Sequence, residues 1–201
     1  MGILAPVMGR LTGFAAGIAL AFVVPPAVAR DVGGYAVPEQ ARLEPEGLLL
    51  KLNGARVRTA FLSEVTLFAL YTDEPVASYE ALLRPGRTKR VNVTILRPEF
   101  TAQRFRDGWR EQFAAALAPQ LLQELAPQIE AFIGTFETLR RGEEIRFDFL
   151  PGEGLRFWIR GELKRKIAGE AFAAALLGVW MGERAVDPAL REAALLRGGK
   201  R

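Results

Sequence analysis

The chain contains no cysteine and no histidine. The first absence rules out disulfide staples and thiolate chemistry, so a folded domain has to be held by burial alone. The second removes imidazole from acid–base work near neutral pH, and with it Ser-His and Cys-His nucleophilic machinery. Ordinary His/Cys zinc sites go with them, and neither a metal nor a cofactor is expected. A concentrated basic stripe is also missing: the net charge of +4 comes mainly from arginines spread along the sequence. That pattern does not suggest a nucleic-acid partner. It suits a small anionic molecule or an anionic membrane surface better. No internal repeat or low-complexity tract is present.

Residues 1–29 read as an export signal. Arg10 is followed by an apolar run from Leu11 to Val24, and Ala27-Val28-Ala29 offers small residues for signal peptidase. A run of about 14 residues is shorter than the roughly 20 a spanning helix needs. The expectation is therefore cleavage, export to a periplasm and no integral membrane span in the mature protein, with a retained anchor as the rival reading. Cleavage after Ala29 leaves about 170 residues, enough for one cored domain and too few for two. Residues 30–45, with Gly33-Gly34, Pro38 and Pro45, lack a sustained period and are read as an N-terminal arm. Residues 46–196 form the domain and 197–201 a flexible tail.

Within the domain, Leu48 to Leu52 reads as a strand, Asn53-Gly54 as a turn signal, and the next two segments as strands of alternating faces. Arg56, Arg58 and Ala60 share one face. Thr66, Phe68 and Leu70 share another, so a buried Thr66 hydroxyl would need a hydrogen-bond partner. Ser78 caps a short helix closed by Pro85-Gly86. Val91, Val93, Ile95 and Arg97 form an apolar row ending in a cation. Thr101 caps a helix to about Leu117, with Phe105, Trp109 and Phe113 on its inner stripe and Gln112 beside it. A further helix is expected from Gln120 to Leu139, interrupted at Pro127. A hairpin across Pro151-Gly152-Glu153-Gly154, a strand over 162–167 and helices over 170–181 and 188–196 complete an α+β layer pattern.

Four ordered segments carry a resemblance: NGARVRTAFLSEVTLFALY (53–71), VNVTILRPEFTAQRFRDGWREQF (91–113), FLPGEGLRFWIRGE (149–162) and GEAFAAALLGVWMGERAVDPALR (169–191). Together they are similar to the chalcone isomerase family, in particular its bacterial chalcone-isomerase-like branch. The resemblance implies an open-faced β-sandwich, a curved antiparallel sheet covered on one side by helices, with the ligand between them. It retains Arg58 and the strand threonine Thr66. Where catalytic members carry tyrosine, lysine, asparagine and a late threonine, this chain has Phe105, Gly108, Gln112 and Val179. Losing one well-placed donor costs on the order of 3 kcal/mol in barrier, so chalcone cyclisation is not expected and no residue is assigned as catalytic.

Non-catalytic relatives bind fatty acids with the help of an arginine. By that resemblance Arg97 or Arg58 would hold a carboxylate, with Thr66, Tyr71 or Gln112 as hydrogen-bonding neighbours. Phe105, Trp109, Leu176, Val179 and Trp180 would meet the tail. Arg97, placed just before Pro98, can also cover apolar surface with its stem while its head stays in water. Three function classes stay open. They are a non-catalytic binder of a fatty acid or similar amphiphilic anion, an isomerase or intramolecular lyase acting through Arg58 and Thr66 on an unknown substrate, and a periplasmic interaction protein without ligand. The sequence does not give the oligomeric state.

Overall fold

A computed structural model describes residues 28–60 and 62–195. The stretch 1–27, which holds most of the expected export signal, and the expected tail 197–201 lie outside the described residues.

Period-2 patterning produces one seven-stranded antiparallel sheet. Its strands are β3 (Gln40–Arg42), β4 (Leu49–Ala60), β5 (Ser63–Thr72), β6 (Lys89–Ile95), β9 (Glu144–Leu150), β10 (Gly154–Ile159) and β11 (Glu162–Ile167). Their order across the sheet is β11-β10-β9-β6-β5-β4-β3. Two short pairs stand outside it: β1 (Ala29–Val32) with β2 (Tyr35–Pro38), and β7 (Glu99–Phe100) with β8 (Leu139–Arg140). The residues read as an N-terminal arm hold a hairpin and an edge strand. Their glycines turn the chain at Gly33-Gly34, both at positive φ, which is a local hairpin signal.

The described residues also form six helices: α1 (Tyr79–Leu82), α2 (Ala102–Ala116), α3 (Pro119–Glu124), α4 (Ala126–Ile133), α5 (Glu170–Met181) and α6 (Pro188–Leu195). The helix starts follow capping chemistry. Ser78 Oγ accepts from Ala81 N–H at 3.1 Å and Thr101 Oγ1 from Arg104 N–H at 3.2 Å. Near Pro127 the expected single helix is divided into α3 and α4, and it ends at Ile133, short of the expected Leu139. Phe136 is buried beyond its end.

The two faces of the sheet are filled differently. On the helical face Phe68, Leu70, Val91, Ile95, Phe147 and Phe157 pack against the helices in one large core. Rings dominate its centre: Phe147 and Phe157 stack at 5.1 Å, and Phe132 meets Phe157 at 5.3 Å. Leu50, Leu52, Leu67, Ala69 and Tyr71 form a smaller cluster with Val37 on the other face, under the β1–β2 hairpin. Further along that face Arg90 pairs with fully buried Asp148 through contacts of 2.6 and 3.1 Å. Removing one partner of such a buried pair costs about 3–5 kcal/mol.

Asn53-Gly54 is not a turn. Both residues lie inside β4, at an irregularity between Leu52 and Gly54 in its pairing with β5. Asn53 Nδ2 donates to Val76 O (2.9 Å) and Ala194 O (2.7 Å), and its Oδ1 accepts from Val76 N–H at 2.8 Å. A Cβ on Gly54 would sit 2.0 Å from Ala193 O. Asparagine and glycine stand here because α6 presses its backbone onto the strand, a contact between distant segments that a local dipeptide rule does not see.

Candidate functional site

Alternation along β5 puts Thr66 and Phe68 on the helical face, and antiparallel register sets Arg58 of β4 directly beside Thr66. The next strands add Val93 from β6 and Ile145 and Phe147 from β9. Over this floor runs α2, whose Phe105, Gly108, Trp109 and Gln112 fall on one stripe at helical spacing. Trp180 of α5 closes the inner end, edge-on to Trp109 at 5.4 Å and to Phe68 at 5.5 Å. Sheet and helix enclose a cleft of about 250 Å³.

The mouth is cationic. Arg58, Arg97 and Arg104 line it, and no carboxylate does. Their situations differ. Arg58 Nε lies 3.2 Å from Asp187 Oδ2, in a half-buried ion pair. Neither Arg97 nor Arg104 has an ion-pair partner among the described residues; Arg97 rests its guanidinium 5.7 Å from the ring centre of Phe100. Low-dielectric walls around unneutralised charge concentrate the field at the opening.

The floor carries an incomplete hydrogen bond. Thr66 is 6 % exposed, and its Oγ1 is buried without a partner among the described residues. An unpaired buried hydroxyl costs roughly 1–3 kcal/mol relative to a paired one. Gln112 Nε2 donates to Gly108 O at 3.0 Å, so the side chain folds back along its own helix. Gly108 itself is in mid-helix. A Cβ there would touch only Gln112 Nε2 at 3.8 Å, an ordinary contact, so packing does not demand glycine at this position.

Seven of the sequence-derived candidates line the cleft together: Arg58, Thr66, Arg97, Phe105, Trp109, Gln112 and Trp180. Three do not. Tyr71 is 2 % exposed in the cluster on the opposite face of the sheet. Its odd number on a strand whose even residues face the cleft requires this. Leu176 is one turn before Trp180 and lies wholly in the core, and Val179 is rotated by about 100° from Trp180 around the helix axis. Neither lines the cleft. The candidate set lacked Phe68, Val93, Phe100, Arg104, Ile145 and Phe147. Parity with Thr66 and Arg97 could have found Phe68 and Val93, whereas the β9 pair needed the strand order.

Burial pushes the Tyr71 phenol up to about 12. Burial also lowers the Lys89 ammonium and raises the Glu144 carboxyl, neither of which lines this cleft. Among the described residues no group of three or more acidic, His or Cys side chains is placed to hold a metal. Nor is any described helix long and apolar enough to cross a membrane.

A curled antiparallel sheet, a helical cover and an apolar cleft between them define an α+β open-faced sandwich. The chain belongs to the chalcone isomerase-like family, which it matches over residues 29–196. That match takes in the β1–β2 hairpin as well. No curated protein sequence matches the chain. Among solved structures, a fatty-acid binding protein of Arabidopsis thaliana is similar in fold, with a TM-score of 0.65 at 16% sequence identity. The likeness covers 84% of this chain and 95% of that one.

Proposed function

We propose that this protein is a non-catalytic carrier or sensor of a fatty acid or similar amphiphilic anion, bound in the cleft between the sheet and α2. The observation that carries the reading is the buried Thr66 hydroxyl, left without a partner on an apolar floor beneath two unneutralised arginines. A carboxylate entering at the mouth would give Arg97 and Arg104 the anion they lack, and a guanidinium fork matches its two oxygens. One oxygen, or an ordered water, would accept the hydrogen bond that the Thr66 hydroxyl has to donate. The tail would lie along Phe68, Phe105, Trp109 and Phe147, the mostly apolar lining with few polar groups that small-molecule sites have. That the Arabidopsis thaliana protein of similar fold is a fatty-acid binding protein supports this reading.

Binding without turnover is supported by what stands on α2 and α5. By the resemblance, Phe105, Gly108 and Val179 stand where catalytic relatives carry a phenol, an ammonium and a hydroxyl, and Gln112 keeps an amide that is folded back onto Gly108 O, which leaves few donors for a developing enolate. Export is supported by residues 1–29 alone, and cleavage after Ala29 would leave the Arg30–Glu39 ion pair (2.9 Å) in the mature chain. In a bacterial cell that export would make the protein periplasmic, and N-terminal sequencing of the secreted form checks the cut.

Native mass spectrometry of the mature protein incubated with a series of saturated fatty acids tests binding. A one-to-one adduct is expected, with a raised Tm in excess ligand, because a ligand of the native state alone stabilises it. No adduct and no thermal shift with any fatty acid would overturn the proposal.

A further inference from the structure

The strand that ends at the arginine mouth begins at a second opening. On β6 the helix-facing parity that includes Val91, Val93 and Ile95 also includes Lys89, at the strand's other end. Six steps of about 3.4 Å along β6 set Lys89 about 20 Å from Ile95, at the end of the strand near the cleft mouth. Lys89 is 8 % exposed, and no side-chain hydrogen bond or ion pair reaches its ammonium from the described residues. It lines a separate pocket of about 200 Å³, which has Phe149, Leu150 and Leu177 as its apolar wall and Arg84 and Arg87 at its rim. The pocket and the fatty-acid cleft share no lining residue.

The charges here are unequal. Arg87 is already committed, with Asp73 at 3.1 Å and Glu74 at 2.8 Å. Arg84 has no ion pair among the described residues, and Glu170 is the one carboxylate in the lining. A lysine so largely buried, with no partner for its charge, is unfavourable. Burial depresses its proton affinity, against the weaker opposing pull of Asp73 and Glu170. The turn Pro85-Gly86, with Gly86 at φ 77°, holds Arg84 and Arg87 on either side of the opening.

We infer that this pocket is a binding site for a small oxyanion, either inorganic phosphate or the carboxylate of a short organic acid, with Lys89 as its inner ligand and Arg84 at its rim. The anion would give the Lys89 ammonium its missing partner, and the apolar wall would strengthen that contact by excluding water. A cavity of about 150 Å³ holds a benzene ring, so this one suits a compact anion better than an extended lipid tail. The site does not depend on what the arginine cleft binds.

The chain has five lysines, few enough for side-chain NMR with ¹³C-labelled lysine on the full mature protein. Titration with inorganic phosphate and, separately, with acetate is expected to move the Lys89 signal saturably in at least one arm, and the responding arm names the class. The response should persist in Arg97→Gln, weaken about tenfold in Arg84→Gln and vanish from the titration of Lys89→Met followed by backbone amides of residues 84–89. Arg84 is exposed, so its replacement keeps the test open if Lys89→Met were to misfold. No saturable response to either ion, equal movement of all lysines, or an undiminished amide response in Lys89→Met would overturn the assignment. So would a Lys89 signal that responds only to long-chain fatty acids.

Discussion

Arg58 Nε sits 3.2 Å from one oxygen of Asp187, whose other oxygen accepts the Leu190 N–H at 2.9 Å and so caps α6. Of the two arginines that the resemblance offered as ligands, Arg58 is therefore tied to the start of a helix, while Arg97 is not. In the proposed binding, Arg97→Gln should weaken a fatty acid at least about tenfold, the scale of a charge-assisted hydrogen bond. Arg58→Gln should change affinity little and lower stability by up to about 1 kcal/mol, as for a half-exposed ion pair. Displacement of a fluorescent fatty acid and urea unfolding separate the two effects. Equal affinity losses would return the headgroup to Arg58.

Thr66→Val keeps the shape of the side chain and deletes the hydroxyl that lacks a partner. The empty protein should gain about 1 kcal/mol, since no hydrogen bond is lost and a buried polar group disappears. Fatty-acid affinity should fall roughly fivefold. Urea melts with and without ligand read both. A variant that is less stable when empty would mean that the hydroxyl is already satisfied.

At Gly108 the backbone is helical and the space beside it is open. Alanine there should stabilise α2 by up to about 1 kcal/mol through helix propensity, and the added methyl projects into the cleft wall, so binding should weaken. Thermal unfolding and ligand titration of Gly108→Ala check the pair of signs.

The Tyr71 phenol is buried, and its pKa rises from the usual 10.0 to about 12. Between those values the native state holds a proton that the unfolded chain has released, so stability falls as pH rises through this window. The stabilisation is fully present below pH 10 and amounts to about 2–3 kcal/mol lost by pH 12. Tyr71→Phe should lack that alkaline loss. The depressed Lys89 pKa acts with the opposite sign in both proteins, so it cancels in the comparison, which equilibrium unfolding at pH 9 to 12 provides.

Caps and alternation were legible because their causes are local. Ser78 and Thr101 announce α1 and α2 within three residues, and period 2 assigns Thr66, Phe68 and Val93 to one side of the sheet. The same rule, followed strictly, excludes Tyr71 from the cleft, and placing it there set chemical suitability above parity. What could not be read locally depends on distant partners. Asn53-Gly54 looks like a turn until the backbone of residues 193–194 is laid against it, and Ile145 and Phe147 enter the cleft only because β9 pairs with β6. That Arg58 has an ion-pair partner and Arg97 has none among the described residues was equally invisible, since the difference lies in Asp187.

Trp180, Trp109 and Phe147 make the arginine cleft a blind bore. Scaled from a benzene ring in about 150 Å³, its volume accommodates roughly ten carbons. Each methylene up to the rings should then add about 0.8 kcal/mol, and any further one would have to stay in water or bend back. Affinity plotted against acyl length should climb and then level off, so that the indoles serve as a depth gauge and the longest acids gain nothing from their extra carbons.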